Sequence, residues 1–282
     1  VTAKIGVLGG GRMGAGIAHA FLLAGAEIVI VERDEASADA ALTRVRESLQ
    51  YTVDKGKTPR TFKQLDAALH SAIGMEAFAD AELVIEAVPE DRALKVAALR
   101  SVENVLSADA VLASNTSSIS IDDLASELKR PDRFLGLHFF NPVPASELVE
   151  IVIGEATSAD VQRFATDWVE AIDKAAIIVR DSPGFASSRL GVALGLEAIR
   201  MLEEGVASAA DIDAAMERGY RHPMGPLRTT DIVGLDVRLG IAEELHAQLG
   251  ERFAPPELLR EMVAKGHLGR KSGRGFYEWS QG

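Results

Sequence analysis

The 282-residue chain contains no cysteine. That excludes a disulfide scaffold, thiolate catalysis and a Cys-ligated zinc site. Basic residues are in the minority, 30 Lys and Arg against 42 Asp and Glu, for a formal net charge of −12. General nucleic-acid binding rests on neutralising phosphates with Lys and Arg, so nucleic acid is not an expected partner. Aromatic residues supply only 5% of the chain, too few for a surface built on base stacking. Long apolar runs are missing as well: no segment reaches the roughly 18–20 uninterrupted apolar residues of a membrane span. The N-terminal stretch after Lys4 superficially resembles a secretion signal, but Arg12 and His19 interrupt it and its glycines follow a pattern of their own. The reading is a soluble, cytoplasmic protein without a membrane partner.

What is present suits an ordinary globular protein. With 47% hydrophobic residues there is enough apolar side chain for one large domain or two smaller ones. Lys4–Leu8 is a short run of strand type, followed at once by Gly9-Gly10-Gly11-Arg12-Met13-Gly14. Ile17, Phe21 and Leu22 then recur at helical spacing, Gly25 ends the pattern, and Glu27–Val31 is a second β-branched run closed by Glu32. Strand, glycine turn, helix, strand and acidic residue form the dinucleotide-binding fingerprint in its required context. Gly9 permits the tight turn, Gly11 lets the backbone approach a pyrophosphate, and Gly14 allows close helix–strand packing. Arg12 and Met13 lie in the same cradle. Glu32 is placed to accept from the adenosine ribose hydroxyls and would repel a 2′-phosphate, which predicts NAD rather than NADP.

The stretch from Ala36 to Phe78 reads as two helices broken near Lys57-Thr58-Pro59. Six basic residues (Arg44, Arg46, Lys55, Lys57, Arg60, Lys63) gather there, either a landing place for a phosphate-bearing ligand or a solvated helix face. A third strand, Glu82–Ala87, leads to Glu90 and Lys95, which are placed to touch the cofactor or to form a surface ion pair. Val111–Ser114 is a further strand, with Asn115 and Ser117 in the loop after it, while Ser120 and Asp123 mark a helix start.

His138 lies near the end of an apolar strand, Phe134–Phe140, closed by Asn141-Pro142. Glu150 is embedded in the next one, Glu147–Ile153. A carboxylate buried in a strand needs a partner, and an imidazole is the obvious candidate. Such a pair is a base with an orienting acid, suited to taking a hydroxyl proton as hydride leaves the same carbon. The histidines His19, His70, His246 and His267 lie in helical or surface-like contexts without a motif.

These stretches, together with Ala113–Ser118, Gly136–Pro144, Asp181–Phe185, His222–Pro226 and Leu268–Tyr277, resemble the L-3-hydroxyacyl-CoA dehydrogenase family, its short members acting on 3-hydroxybutyryl-CoA in particular. The resemblance runs in order over essentially the whole chain. It implies an α/β fold: a Rossmann-type NAD-binding domain over residues 1–182, then an all-α domain over 183–282 for substrate and dimer contacts. It implies NAD-dependent, reversible oxidation of an (S)-3-hydroxyacyl-CoA, without a metal. By motif, His138 matches the catalytic base, Glu150 its orienting carboxylate, and Ser117 the serine contacting substrate oxygen and nicotinamide. Glu90, Lys95, Asn115, Asn141 and Lys271 fall at the cofactor, and Ser48 and Lys55 at coenzyme A. Ser188 stands where the family usually has an asparagine near the reactive end of the substrate, which bears on acyl specificity. Two other readings are a dehydrogenase of a small hydroxy acid lacking coenzyme A and a redox-silent NAD-binding protein.

The C-terminal third is helical throughout. Leu190, Leu194 and Ala198 recur from Ser187 onward, and further helices are predicted over 210–218, 232–249 and 258–264. The apolar first helix makes this part a plausible homodimer contact.

Overall fold

Eight short strands, none longer than six residues, line up as one sheet in the computed structural model, which describes residues 3–280. In chain order the first part runs β1 (Lys4–Leu8), α1 (Arg12–Ala24), β2 (Glu27–Val31), α2 (Glu35–Asp54), α3 (Phe62–Asp66), β3 (Leu69–Ala72), β4 (Leu83–Glu86), α4 (Arg92–Glu103) and β5 (Val111–Ser114). It continues through α5 (Ile121–Ala125), β6 (Phe134–Phe139), β7 (Leu148–Ile153), α6 (Ala159–Ala171) and β8 (Ala175–Arg180). The strand order is β3-β2-β1-β4-β5-β6-β7-β8. All neighbours are parallel except β6 and β7. The crossovers leave β1 toward opposite sides of the sheet. This is the Rossmann-type arrangement, which opens a ligand crevice at the carboxyl ends of β1 and β4.

The strands are Ile-, Val- and Leu-rich because helices cover both faces of a parallel sheet. Ile5, Val7, Ile28, Ile30, Leu83 and Ile85 are fully buried. Each such side chain contributes roughly 1.5–3 kcal/mol relative to an exposed one. Helix α1 ends as the sequence suggests: Gly25 takes the left-handed conformation at φ 97°, and its N–H caps the last turn.

Three features of this part differ from the sequence reading. Between residues 36 and 78 the chain makes α2 and α3 but also β3, a four-residue edge strand too short to show an alternation. His19 is in the core, 2% exposed, with Nε2 3.0 Å from Thr52 Oγ1. Strand β8, which pairs in parallel with β7, lies in a stretch for which no element was predicted.

The described residues divide into two compact units between Ser182 and Pro183. The second holds α7 (Ser187–Glu203), α8 (Ala209–Ala214), α9 (Pro226–Val233), α10 (Leu235–Leu249) and α11 (Glu257–Ala264) around its own core of Val192, Leu196, Ile199, Leu227 and Leu245. The predicted continuous helix over 232–249 is two helices, because Gly234 breaks it at φ 106°. Of the apolar residues recurring along α7, Leu190 is 70% exposed, and the core face carries Val192, Leu196, Ala198 and Ile199.

Candidate active site

The glycine turn after β1 has a distinct job for each residue. Gly9 sits at φ 92°, a left-handed conformation that favours glycine. A Cβ on Gly14 would fall 1.8 Å from the Gly9 carbonyl oxygen, so only glycine lets α1 pack this close. Gly11 differs: a Cβ there would meet no atom within 4 Å. Open space at Gly11 adjoins the N-terminus of α1, which has no side-chain cap. Its unpaired N–H groups and dipole are suited to a pyrophosphate. Glu32, at the end of β2, accepts from Gly10 N at 2.7 Å and Arg33 N at 3.3 Å. Arg44, from the basic stretch on α2, donates to the Gly10 carbonyl at 3.2 Å. The cradle therefore fits NAD, with room at Gly11 for phosphates and a carboxylate at the ribose position.

Glu90 and Lys95 do pair, at 3.2 Å, but not on the surface: Lys95 is 1% exposed. Its ammonium also lies 2.8 Å from Glu86 Oε1 and donates to the Val88 carbonyl. Glu86, itself fully buried, accepts in addition from Ser114 Oγ at 2.6 Å and Val88 N at 2.7 Å. Above this layer, Glu90 Oε1 accepts from Thr116 Oγ1 at 2.6 Å, Ser117 N at 2.9 Å and Ser118 N at 3.1 Å. The nearby positive charge of Lys95 and these donors outweigh burial and hold the Glu90 carboxyl below its ordinary pKa. Lys95 thus supports Glu90, and Glu90 fixes the loop bearing Ser117. Asn115 accepts from Phe139 N at 2.9 Å, tying that loop to β6.

Because β7 runs against β6, Glu150 near its start comes opposite His138 near the end of β6. Directly opposed residues of an antiparallel pair share a face. His138 Nδ1 lies 2.6 Å from Glu150 Oε2, with His138 6% exposed and Glu150 fully buried. The pair lies at the carboxyl-end edge of the parallel strands, the edge that also carries Gly9, Glu32, Glu90, Asn115 and Ser117.

A cleft of about 360 Å³ opens beside the start of α1, lined by Arg12, Gly16, Arg44, Ser48, Asn141 and Pro142 among others. Ser48 thereby joins Arg12 and Asn141. Lys55 does not line it; it caps α2 two turns further on, its ammonium 5.7 Å from the Tyr51 ring centroid. Met13 is half-buried at the start of α1. Ser188 and Lys271 belong to the second unit. Ser188 lies in the first turn of α7, and Lys271 pairs with Asp236 at 2.6 Å.

Comparison with known proteins decides the family. The model of the 3-hydroxyacyl-CoA dehydrogenase NAD binding domain matches residues 4–182, and that of the 3-hydroxyacyl-CoA dehydrogenase C-terminal domain matches residues 184–279. The chain belongs to the 3-hydroxyacyl-CoA dehydrogenase family.

Among relatives, a 3-hydroxybutyryl-CoA dehydrogenase of Mycobacterium tuberculosis is 43% identical, covering 98% of each chain. The solved (S)-3-hydroxybutyryl-CoA dehydrogenase of Ralstonia eutropha is 37% identical over the whole of both chains, with a TM-score of 0.94. A diketoreductase is similar at 28% identity and a TM-score of 0.85, covering 99% of each chain. Within this dehydrogenase fold, sequence reasoning overlooked Glu86. Its signal was available: an acid closing an otherwise apolar strand, the same feature that singled out Glu32. Asp181 was overlooked too; it accepts from Ser120 Oγ at 2.5 Å and Asp122 N at 2.9 Å, supporting the expected helix start.

Proposed function

We propose that this dehydrogenase interconverts an (S)-3-hydroxyacyl-CoA of the 3-hydroxybutyryl type and its 3-ketoacyl-CoA, with His138 as general base and Glu150 as its orienter. The observation that carries this is the 2.6 Å contact between His138 Nδ1 and Glu150 in matched register at the cofactor edge of the sheet. With Nδ1–H donated to Glu150, Nε2 is the basic nitrogen of the ring. It takes the proton of the C3 hydroxyl as the C–H bond breaks, and the carbonyl forms. Bound NAD supplies the hydride acceptor. Glu150 stabilises the imidazolium that results, and Ser117, held by Glu90, orients the substrate oxygen.

Gly9, Gly11, Arg12, Met13 and Gly14 are read as holding the dinucleotide phosphates, and Glu32 the ribose. Asn115, Asn141 and Lys271 serve the nicotinamide side. Ser48 and Lys55 lie on one face of α2, seven residues apart, and are assigned to coenzyme A. The Arg12, Arg44 and Ser48 side of the cleft supports a phosphate-bearing ligand there. The second unit is assigned the contact between two copies, supported by Leu190, Val237 and Ile232 at 70%, 44% and 43% exposure.

A panel of 3-ketoacyl-CoAs of increasing length, assayed with NADH and NADPH, tests this reading. Turnover of acetoacetyl-CoA with NADH, and little with NADPH, is the expected result; no NADH consumption with any thioester would overturn it. Ser188 in place of asparagine favours a second reading, reduction of small carbonyl compounds without coenzyme A. Under it Lys55→Glu leaves activity intact, whereas the thioester reading expects loss. Ser188→Asn is expected to shift chain-length preference.

A further inference from the structure

Glu86, Lys95 and Glu90 together hold more negative charge than positive. Both carboxyl groups reach the one ammonium, at 2.8 and 3.2 Å, and no other Lys, Arg or His bridges to either among the described residues. Glu86 is fully buried and takes hydrogen bonds as an acceptor, from Lys95 Nζ, Val88 N and Ser114 Oγ. Three donors around two oxygens suit a carboxylate. At Glu90, burial works against the charge, but the ammonium of Lys95 and the hydrogen bonds from Thr116 and Ser117 outweigh it. The layer therefore carries one negative charge that no cation among the described residues offsets. Little water is there to screen it.

The sheet register fixes where that charge stands. Glu86 is the partner of Ser114, and Ser114 that of Gly136, two residues before His138. Paired residues point to the same face of a sheet, and so do residues two apart on a strand. Glu86, Ser114, His138 and Glu150 thus share one face. Across two strand spacings and two residues along β6, the Cα atoms of Glu86 and His138 are roughly 12 Å apart. The loop that carries Ser117 leaves β5, the strand between them. Glu86 with Glu90 stands on one side of that loop and Glu150 on the other.

We propose that Glu86 sets the preference of this dehydrogenase between the two oxidation states of its cofactor, favouring the cationic ring of NAD+ over the neutral ring of NADH. This rests on the reading that places the nicotinamide beside Ser117. Bound NAD supplies a ring that is positively charged when oxidised and uncharged when reduced. The unbalanced carboxylate stabilises the first and does little for the second. Glu150 has the matching task on the other side, because His138 becomes cationic when it takes the hydroxyl proton. Positive charge thus faces a carboxylate in both states of the enzyme, which suits a reaction that runs in either direction.

The test is equilibrium binding of NAD+, NADH and ADP-ribose to the wild-type protein and to Glu86→Gln. ADP-ribose has the adenine, the pyrophosphate and both riboses but no nicotinamide. Loss of one unit charge from a buried site is expected to raise the ratio of dissociation constants, NAD+ over NADH, by about tenfold. ADP-ribose should bind as before. Glu86→Asp keeps the charge and should leave the ratio near its wild-type value. An unchanged ratio in Glu86→Gln overturns the proposal. So does equal weakening of all three ligands, the result expected if Glu86 only supports the loop. Should Glu86→Gln not fold, Glu90→Gln removes the other carboxylate of the layer and is expected to move the ratio the same way; a constant ratio there also overturns the proposal. A wild-type protein that binds no NADH overturns the cofactor reading beneath it, a result distinct from a ratio that does not move.

Discussion

His138 and Glu150 are exact cross-strand partners in the one antiparallel ladder among the described strands, and their side chains meet at 2.6 Å. The reversal of β7 is what makes this possible, since it brings a residue near the start of one strand to the end of the other. Glu150 has no solvent to share its charge with, so the imidazole is held in one tautomer and one orientation. Glu150→Gln is expected to lower kcat by on the order of 10²–10⁴ while leaving the KM for NADH in place. A paired loss of NADH affinity would place Glu150 in the nucleotide cradle instead.

Two glycines five ångströms or so apart along the chain's first turn should respond in opposite ways. Gly14→Ala places a methyl 1.8 Å from a backbone oxygen, and the melting temperature should fall, with a cost of roughly 1–3 kcal/mol or more. Gly11→Ala meets open space, so the fold should keep its stability while NADH binding weakens. Thermal melts with and without NADH separate the two effects.

Lys95→Met would leave Glu86 fully buried and without its ammonium partner. Breaking a buried pair from one side costs roughly 3–5 kcal/mol. Urea unfolding is expected to show that loss, together with a raised KM, because Glu90 and the Ser117 loop lose their support. An unaltered unfolding midpoint would show that the network does not stabilise the fold.

His19 sets an acid limit. Burial first, then the charge of Lys174, lowers its pKa to about 4, and Nδ1 has no partner among the described residues. The unfolded chain binds a proton near pH 6.5 and the folded chain only near 4, so stability declines as pH falls through that window. The full penalty is about 3 kcal/mol below it. Unfolding midpoints between pH 7 and 4 should fall less steeply for His19→Gln than for the wild-type protein; parallel curves would remove His19 from the acid response.

Much of this was legible in the residues. The order of strand, glycine turn, helix, strand and acid identifies the cradle because each position has a separate steric or electrostatic requirement. His138 and Glu150 stood out as polar groups inside apolar runs. Other features depend on contacts that a linear pattern does not encode. Strand β3 is four residues long and borrows its hydrogen bonds from β2, so no periodicity announces it. The Glu86–Lys95–Glu90 layer joins a strand end to a helix nine residues on, and only packing shows that Lys95 is buried. His19 looked like any helical histidine until α2 closed over it.

The central claim is that the imidazole of His138 takes the substrate's hydroxyl proton. Its most direct test is His138→Ala, assayed in parallel for turnover of acetoacetyl-CoA with NADH and for NADH binding by fluorescence. The expected result is a rate lower by on the order of 10²–10⁴ with NADH affinity retained; full turnover in that variant would contradict the account.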